Sequence, residues 1–437
     1  MTTDRPWVTR VRAVIADRRT RLLLVEDGDR HRLPFVEVEG TDDELPTIRA
    51  ALAGFTGLET IVVRAIERSV HEEQKVVDVA LELEPLRAET PVGGAVWLPA
   101  PELDDLLSDD DRALVTRYMD DRPPPERPHW ARRGWFSEAA LWIEETLAAC
   151  GRDITAPIEQ ISSWCISSIL RADTEAGRVF FKATAPSPLF VDEGTVTQGL
   201  AAMFPGRVPK PIAVDPDRRW MLLDDFGPVV GWKADLETKV DVLSTFARMQ
   251  LVTTTRQDEL LELGAFDRRP AWLASQIRAL LDAPDLGLED DEVERLSALG
   301  PRPAEMCERL AAGAVPDALV HGDLHLSNVA GNGDGYVFFD WTDACLTHPF
   351  LDMLVVLFEE DADLRKPLRD AYLGAWMDVA SEDELLELWA LAEPLASLNQ
   401  AVSYRSIIST VERGMAPEFD TMVPFFLRKA LASSARG

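Results

Sequence analysis

Polar side chains interrupt a strongly apolar stretch at residues 321–341, HGDLHLSNVAGNGDGYVFFDW. Asp323 leads into a loop, Asn328 follows five residues later, and Asp340 ends an apolar strand after a Gly-rich turn. A loop Asp taken alone is usually a cap or turn residue. Together, however, these residues supply what phosphoryl transfer requires: a carboxylate for an attacking hydroxyl, and oxygen ligands that hold magnesium against nucleotide phosphates. We predict that a hairpin brings the three side chains together.

The pattern HGDLxxxN, followed by an apolar strand that ends in DW, resembles the catalytic and metal loops of the aminoglycoside and choline kinase families. In those families the two loops are related to the HRD and DFG segments of protein kinases. The resemblance implies that Asp323 is the catalytic base. It also implies that Asp340 is the principal magnesium ligand and Asn328 a second one, with His321 bracing the loop.

The resemblance continues through DWTDACLTHPFLDM, which is similar to the family pattern DWxDAxxGxPxxDL. It implies that Asp343 lies near the acceptor and that Asp352 holds the loop. Thr347 departs from the pattern, which usually has Gly or a small residue there. His325, whose position varies in the family, is a candidate substrate contact.

A run on the last helices, SLNQAVSYR, could line the acceptor pocket through Asn399, Gln400, Tyr404 and Arg405. An amphipathic run of this kind is more often core than pocket. Tyr404 is kept with His325 and Asp343 as a candidate substrate contact.

A kinase site also needs a cation at the nucleotide phosphates, held by a carboxylate on a nearby helix. Lys182 in the strand-like run GRVFFKAT is the candidate, with Glu193 as its expected partner and Asp192 as a rival. The alternative is an exposed strand Lys. Upstream, ISSWCISSIL resembles a strand, a phosphate-covering loop and a strand, with serines where glycines are usual.

The segment WMLLDDFGP, residues 220–228, resembles the family's connection between lobes. The resemblance implies that backbone groups of Leu223, Asp224, Asp225 and Phe226 bind the adenine. The string DFG within it is a coincidence, because a metal-binding DFG follows the catalytic loop and this one precedes it.

Hydrophobic periodicity predicts the remaining elements. Residues 7–16 and 21–25 predict a hairpin, residues 42–55 and 101–119 predict helices, and the chain beyond about 233 predicts helices that enclose two short strands at 318–320 and 336–339. With the resemblance, this gives an α+β chain with a bilobal protein-kinase-like fold: a β-rich lobe at 137–227 and a helical lobe at 228–437. Residues 121–136 form a predicted Pro-rich linker, preceded by a mixed α/β domain at 1–120.

The order of elements in that first domain resembles a Nudix fold. Nudix hydrolysis needs a cluster of glutamates on one helix to bind metal ions. Gly54 and Phe55 occupy the expected positions of the paired glutamates, and Ala50 and Ala51 replace the Arg-Glu pair. We expect a degenerate, hydrolytically inactive module that serves as a cap, a dimerisation unit or a ligand sensor.

The net charge of −31 opposes binding to nucleic acid, which needs clustered Lys and Arg. No apolar run is long enough to span a membrane, and the first residues lack a signal-peptide core, so we expect a cytoplasmic protein without membrane contact. The expected partner is a small-molecule acceptor, and a homodimer stays open.

The sequence therefore predicts an enzyme that uses ATP and Mg²⁺ to phosphorylate a hydroxyl of an aminoglycoside, sugar or amino alcohol, with an amine as the less favoured alternative acceptor. The alternative is a pseudokinase or nucleotide sensor that works by conformational change without turnover. A nucleotide hydrolase acting through the first domain is disfavoured by the missing glutamates.

Overall fold

The computed structural model describes residues 6–17, 21–28, 30–42, 44–87, 90–103, 105–331, 333, 335–412 and 417–434. The chain divides into two compact units, one of residues 1–185 with 411–415 and one of residues 186–410 with 416–437. The predicted linker at 121–136 lies inside the first unit, where Arg127 and Trp130 are buried. The four-part division stays a prediction.

Among the described residues, the first unit contains ten strands and three α-helices. The strands are β1 Val8–Ile15, β2 Arg21–Asp27, β3 Arg30–Arg32, β4 Phe35–Glu39, β5 Thr60–His71, β6 Val76–Pro85, β7 Ala95–Pro99, β8 Glu159–Ser163, β9 Ser167–Thr174 and β10 Gly177–Thr184. The helices are α1 Leu45–Thr56, α2 Asp109–Asp120 and α3 Trp135–Ala149.

A mixed sheet in the order β4-β1-β6-β5 forms the centre of the N-terminal part. Strand β1 runs parallel to β6 and antiparallel to β4. Side chains alternate across β1, so Val11 and Ala13 pack in a core with Ile48 of α1, whereas Val14 packs in another with Leu114 of α2. A helix therefore covers each face of this sheet.

Two predictions for this region are wrong in part. The predicted hairpin is replaced by a single bridge between Ala16 and Leu22, after which β2 pairs with β3 and β7 in a second sheet. The tip of that predicted turn, residues 18–20, lies outside the described residues. The helix predicted over 101–119 begins only at Asp109, because the Ser108 side chain accepts a hydrogen bond from Asp111 N and caps it there.

Strands β8, β9 and β10 pair antiparallel in sequence order, and β8 is attached to the N-terminal sheet. The buried Gln160 side chain on β8 accepts from Val62 N at 2.9 Å and donates to Val62 O at 2.8 Å. The Trp130 indole N–H donates to the carbonyl of Trp164, in the turn between β8 and β9. Side-chain amide and indole groups thus tie the strand-loop-strand segment to residues that precede it.

The second unit is mainly helical. Its helices are α4 Glu193–Met203, α5 Leu236–Thr253, α6 Gln257–Glu262, α7 Pro270–Leu281, α8 Asp290–Ser297, α9 Arg302–Ala311, α10 Leu354–Leu357, α11 Ala362–Gly374, α12 Glu382–Ile408 and α13 Pro417–Ser434. Its strands are β11 Pro211–Asp215, β12 Trp220–Asp224, β13 Phe266–Asp267, β14 Ala318–Val320, β15 Val329–Gly331, β16 Tyr336–Phe338 and β17 Cys345–Thr347.

The helical part encloses more strands than predicted. The two expected strands are present as β14 and β16, and β13, β15 and β17 are additional. Strand β17 lies between β13 and β14, and β15 pairs with β16. The predicted strands, ALV and YVF, are wholly apolar, whereas the added strands, FD, VAG and CLT, each include a polar residue or glycine.

Helix α12 is the centre of this unit. A capping box of Ser381 and Glu384 begins the helix, and buried residues occur on all its faces. Among the described residues, no helix is long and apolar enough to cross a membrane.

Candidate active site

The loop that contains Asp323 begins where β14 ends, beside the chain around Asp343. Strand β14 pairs antiparallel with β17, with Val320 opposite Cys345. Gly322 follows at φ +83°, and a Cβ on it would lie 2.5 Å from the carbonyl oxygen of Asp343. Position 322 therefore needs glycine for two reasons, its left-handed backbone and the close approach of Asp343.

Three buried side chains brace the start of this loop. Asp352 Oδ2 accepts from His321 N at 2.6 Å, and the His321 ring contacts the carbonyl of Phe339 through Nε2 at 2.9 Å. Gln400 on α12 donates from Nε2 to the carbonyl of Gly322 at 2.6 Å. Backbone groups that would otherwise be unpaired in the core are thus satisfied.

Asp323 and Asn328 lie within hydrogen-bonding distance of each other. Asn328 Nδ2 donates to the carbonyl of Asp323 at 3.0 Å and approaches its carboxylate Oδ2 at 3.4 Å. A short 3₁₀ turn, Leu326–Asn328, closes the loop between them, with Asn328 N donating to His325 O at 2.9 Å.

The hairpin of β15 and β16 then returns the chain to the same end of the loop. Phe339 N donates to Asn328 O at 3.1 Å, so Asp340, the next residue, follows directly beyond that pairing. The residues 332 and 334 of the Gly-rich turn lie outside the described residues. Asp340 has a left-handed backbone, φ +66°, and its Oδ1 accepts from the Thr342 hydroxyl at 2.6 Å. A non-glycine residue with positive φ is uncommon and costs energy, which is typical of functional sites.

The donor chemistry of these residues fits magnesium. Because the Asn328 amide nitrogen is used on Asp323, its Oδ1 is the atom left for a metal, and Asp340 adds carboxylate oxygens. Among the described residues no cluster of three or more His, Cys, Asp or Glu side chains has the arrangement of a metal site. Magnesium does not need one, because it typically takes one or two carboxylates together with substrate phosphates and water.

Asp343 is a buried carboxyl next to a buried guanidinium. Arg268 Nη1 lies 3.9 Å from Asp343 Oδ1, and the Arg268 side chain is 2% exposed. Burial raises the pKa of Asp343 to about 7, opposed by the Arg268 charge and assisted by the charges of Asp323 and Asp340. The carboxyl groups of Asp323, Asp340 and Asp343 are therefore close enough for their charges to interact.

Arg268 also has structural contacts. Its Nη2 donates to the carbonyl of Leu189, and its guanidinium lies 5.7 Å from the Phe266 ring centroid and 5.8 Å from that of Trp272. Sequence reasoning missed this residue. The one available signal is an Arg pair, Arg268 and Arg269, directly before the Pro that begins α7.

His325 and Tyr404 lie near the carboxylates, whereas Asn399 and Gln400 are buried. His325 Nε2 is 3.5 Å from Asp323 Oδ2, and its ring stacks on Trp232 at 5.1 Å. Burial lowers the pKa of His325, but hydrogen bonding to Asp323 and its charge outweigh burial and raise it. Burial, together with the charges of Asp323 and Asp343, raises the pKa of Tyr404.

The segment predicted to bind adenine contacts the hairpin of β15 and β16. Leu223 is buried and Asp224 exposed at the end of β12, and Asp225 Oδ1 accepts from Gly227 N at 3.0 Å. The Phe226 ring packs on that of Phe339 with centroids 4.9 Å apart. Beyond it, Val230 N donates to Val329 O at 2.8 Å and Gly331 N to Pro228 O at 3.0 Å, so residues 228–230 extend the β15 edge.

Lys182 and Glu193 belong to different compact units. Lys182 lies opposite Ile169 in the β9–β10 ladder, between the buried Phe181 and Ala183. Glu193 is the first residue of α4 and is 1% exposed, and Asp192 caps that helix by accepting from Thr195 N at 2.9 Å. Asp192 therefore has a structural use, and the pairing of Lys182 with Glu193 stays a prediction.

Comparison with known proteins agrees with this geometry. The family model described as phosphotransferase enzyme family, APH, matches residues 158–388, more than half of the chain. No curated protein matches the sequence.

Solved structures of similar fold are distant in sequence. The GDP complex of aminoglycoside 2'-phosphotransferase-IIIa is 12% identical with a TM-score of 0.50, and the match covers 69% of this chain and 100% of that one. Choline kinase LicA from Streptococcus pneumoniae is 12% identical with a TM-score of 0.49, covering 69% and 100%. A choline/ethanolamine kinase family protein from Mesorhizobium loti is 16% identical with a TM-score of 0.47, covering 69% and 99%.

The first of these likenesses supports a kinase-like fold with mixed helix and strand content. The loop that carries Asp323, Asn328 and Asp340 lies inside the range that the family model matches. This chain therefore belongs to the APH family of phosphotransferase enzymes.

Proposed function

We propose that this protein transfers the γ-phosphoryl group of a nucleoside triphosphate to a hydroxyl of a small molecule, with Asp323 as the catalytic base. The observation that carries the proposal is the contact between Asp323 and Asn328, at 3.0 and 3.4 Å, beside the hairpin that leads into Asp340. A base and two oxygen donors at one end of one hairpin are the minimum that phosphoryl transfer requires.

In this mechanism Asp323 accepts the proton of the acceptor hydroxyl while that oxygen bonds to the γ-phosphorus. The bond between this phosphorus and the β-phosphate oxygen breaks, and a nucleoside diphosphate leaves. The bracing of the loop by Asp352 and Gln400 holds the base in place, which lowers the barrier because little reorganisation is left for the reaction.

Asn328 and Asp340 would hold the magnesium ion. When bound, the ion would neutralise charge on the nucleotide phosphates. The left-handed backbone of Asp340 and its bond from Thr342 fix the carboxylate in advance of metal binding.

Two groups of residues would bind the nucleotide, one for its phosphates and one for its adenine. Lys182 supplies the cation for the phosphates, with Glu193 as its partner. Backbone groups from Leu223 to Phe226 hydrogen-bond the adenine ring. ATP is the expected donor. The related aminoglycoside phosphotransferase was solved as a GDP complex, so GTP belongs in the same assay.

The acceptor would lie against Asp343, Tyr404 and His325. The buried carboxyl of Asp343 and the nearby carboxylate of Asp323 favour an acceptor with a positively charged group, such as an amino sugar or amino alcohol. Sugars without an amine remain in the set to be tested.

The N-terminal domain is proposed to be a Nudix-like module without hydrolase activity. The mixed sheet with β1 parallel to β6 supports the likeness. Helix α1, LPTIRAALAGFT, contains no carboxylate, and Asp42 before it is engaged by Arg68 at 2.5 and 3.0 Å. A metal-binding glutamate cluster is thus absent from this helix, and hydrolysis of nucleoside diphosphate derivatives should not exceed the uncatalysed rate.

The test is magnesium-dependent phosphorylation of sugars, amino sugars, amino alcohols and aminoglycosides by the purified protein, with ATP and GTP as donors. Asp323→Asn should abolish product, and Asp378→Asn, at an exposed position in the same unit, should not. Nucleotide binding without product across the panel would favour the nucleotide-sensing alternative. Product formed equally by Asp323→Asn would overturn the assignment of the base.

A further inference from the structure

His325 has its two ring nitrogens on two different partners. Nδ1 accepts a hydrogen bond from Ser327 N at 3.2 Å, and Nε2 faces Asp323 Oδ2 at 3.5 Å. An N–H at Nδ1 would point at the Ser327 N–H, so this contact favours the neutral tautomer with its proton on Nε2. The proton of His325 is thereby directed at the carboxylate of Asp323.

A stack of aromatic rings restrains the imidazole. The Trp232 ring lies 5.1 Å from the His325 ring at an interplanar angle of 20°, and Phe358 meets Trp232 edge-on at 5.4 Å. Gly231 N donates to Leu326 O at 2.9 Å, which ties the Trp232 segment to the catalytic loop. Trp232 itself is 45% exposed.

Two donors approach the same oxygen of Asp323. Asn328 Nδ2 and His325 Nε2 lie 3.4 and 3.5 Å from Oδ2, whereas no described side chain donates a hydrogen bond to Oδ1. Both distances are long for hydrogen bonds, and such contacts in a ligand-free site often shorten when substrates bind.

We propose that His325 is a positioning residue that orients Asp323, donating from Nε2 to Oδ2 so that Oδ1 faces the acceptor hydroxyl. The inference rests on the proposed role of Asp323 as the base. The acceptor proton goes to Oδ1, and His325 keeps its own proton throughout. Trp232 holds the imidazole ring in plane, so it acts on the base through His325.

This role goes beyond that of a substrate contact, which by itself would change KM for the acceptor. A misplaced base lowers kcat, because a displacement of about 1 Å in a reacting group can cost about 100-fold in rate. The two roles therefore separate in the kinetic constants.

The first experiment needs neither acceptor nor turnover. Long-range ¹H–¹⁵N NMR of the histidine rings, followed upward in pH until the His325 signals stop changing, reports the tautomer of the neutral ring, and its signals are assigned by their loss in His325→Phe. We expect the Nε2–H tautomer and a shift of its resonance in Asp323→Asn. An Nδ1–H tautomer, or a resonance that Asp323→Asn leaves unchanged, would overturn the geometry even if the protein proves to be an active kinase.

The second experiment compares two replacements of His325. His325→Phe keeps a ring to stack on Trp232 but has no donor, whereas His325→Gln keeps an N–H near the position of Nε2. We expect kcat to fall at least about 10-fold in the Phe variant, with KM for nucleotide and acceptor within about 3-fold, and to recover most of that loss in the Gln variant. A change confined to acceptor KM, or a loss that Gln does not recover, would contradict the positioning role.

Trp232 provides an independent check on the same step. Trp232→Phe preserves stacking and should retain most of kcat, whereas Trp232→Ala should lower it in parallel with His325→Phe. In the double variant with His325→Phe, Trp232→Ala should add less than 2-fold, because both changes disturb one contact. Full additivity would show that Trp232 acts elsewhere.

The results also separate this inference from the proposed function. If the wild-type protein phosphorylates nothing but the Nε2–H tautomer and its dependence on Asp323 are found, the proposed function is wrong and the contact between His325 and Asp323 is confirmed.

Discussion

The carboxylate of Asp352 accepts a hydrogen bond from the backbone N–H of His321 at 2.6 Å, and both residues are buried. Asp352 lies beyond β17, and His321 follows β14. The two residues meet because those strands are paired. The start of the loop that contains Asp323 is therefore attached to a side chain 31 residues away in sequence.

Asp352→Asn should change the pH dependence of stability. Burial raises the folded pKa of Asp352 to about 7, despite opposing hydrogen bonds from the backbone of His321, Gly322 and Leu324. The folded state then binds the proton more tightly than the unfolded state. The contribution of Asp352 to the free energy of unfolding is therefore fully present below about pH 4 and is lost as pH rises to about 7. Denaturant unfolding from pH 4 to 8 without magnesium should show a shallower decline for Asp352→Asn than for wild type. Identical slopes would contradict the prediction. Asp343 has a similar pKa, but it is present in both proteins, so its effect on the free energy of unfolding cancels in the comparison.

Gly322→Ala should damage both stability and activity. The new methyl group would lie 2.5 Å from the carbonyl oxygen of Asp343, which is too close. A non-glycine residue with a left-handed backbone also costs about 1 to 2 kcal/mol of stability. Gly206→Ala is the matched control, since its φ is +76° and nothing lies within 4 Å of its Cβ position. We expect Gly322→Ala to lose more free energy of unfolding and at least about 100-fold more turnover than Gly206→Ala. Equal losses would mean that contact with Asp343 is unimportant.

Asp340→Asn tests the metal ligand without disturbing the backbone. Asn tolerates the left-handed conformation better than other non-glycine residues, so the φ of +66° is retained. The loss of charge should lower turnover by at least about 100-fold and raise the magnesium concentration needed for half-maximal rate. A magnesium titration of initial rates provides the measurement. Unchanged magnesium dependence would show that Asp340 is not a ligand.

Gln160→Leu should destabilise the first unit. It would leave Val62 N and Val62 O unpaired in a buried position, and each such group costs about 1 to 3 kcal/mol. We expect a loss of about 2 to 5 kcal/mol in urea unfolding. Gln74→Leu, on an exposed 3₁₀ turn, is the control and should change stability little. A loss no larger than in that control would mean that the amide bridge is replaced by water.

Local signals in the sequence were enough for the elements that have a clear period or cap. The alternation in 7–16 predicted β1, the helical spacing before Gly57 predicted α1, and the motif at 321–341 identified the residues that the loop and hairpin bring together. The strands β13, β15 and β17 were missed, because each includes a polar residue or glycine, whereas the equally short β14 and β16 are wholly apolar. The partner of β2 was also wrong, since the choice among sheets depends on contacts that lie far away in sequence.

The residue types needed for phosphoryl transfer, their order and the family were determined by the sequence alone, because a carboxylate, an amide and a second carboxylate at this spacing are read directly from it. Only the tertiary structure decided what holds them. Gln400 bonds to Gly322, Arg268 lies beside Asp343, and Trp232 stacks on His325. These partners come from α12, from the chain before α7 and from the chain before α5. A buried polar group takes whichever partner packing brings within reach, so such pairs depend on the assembled core and have no fixed spacing along the chain.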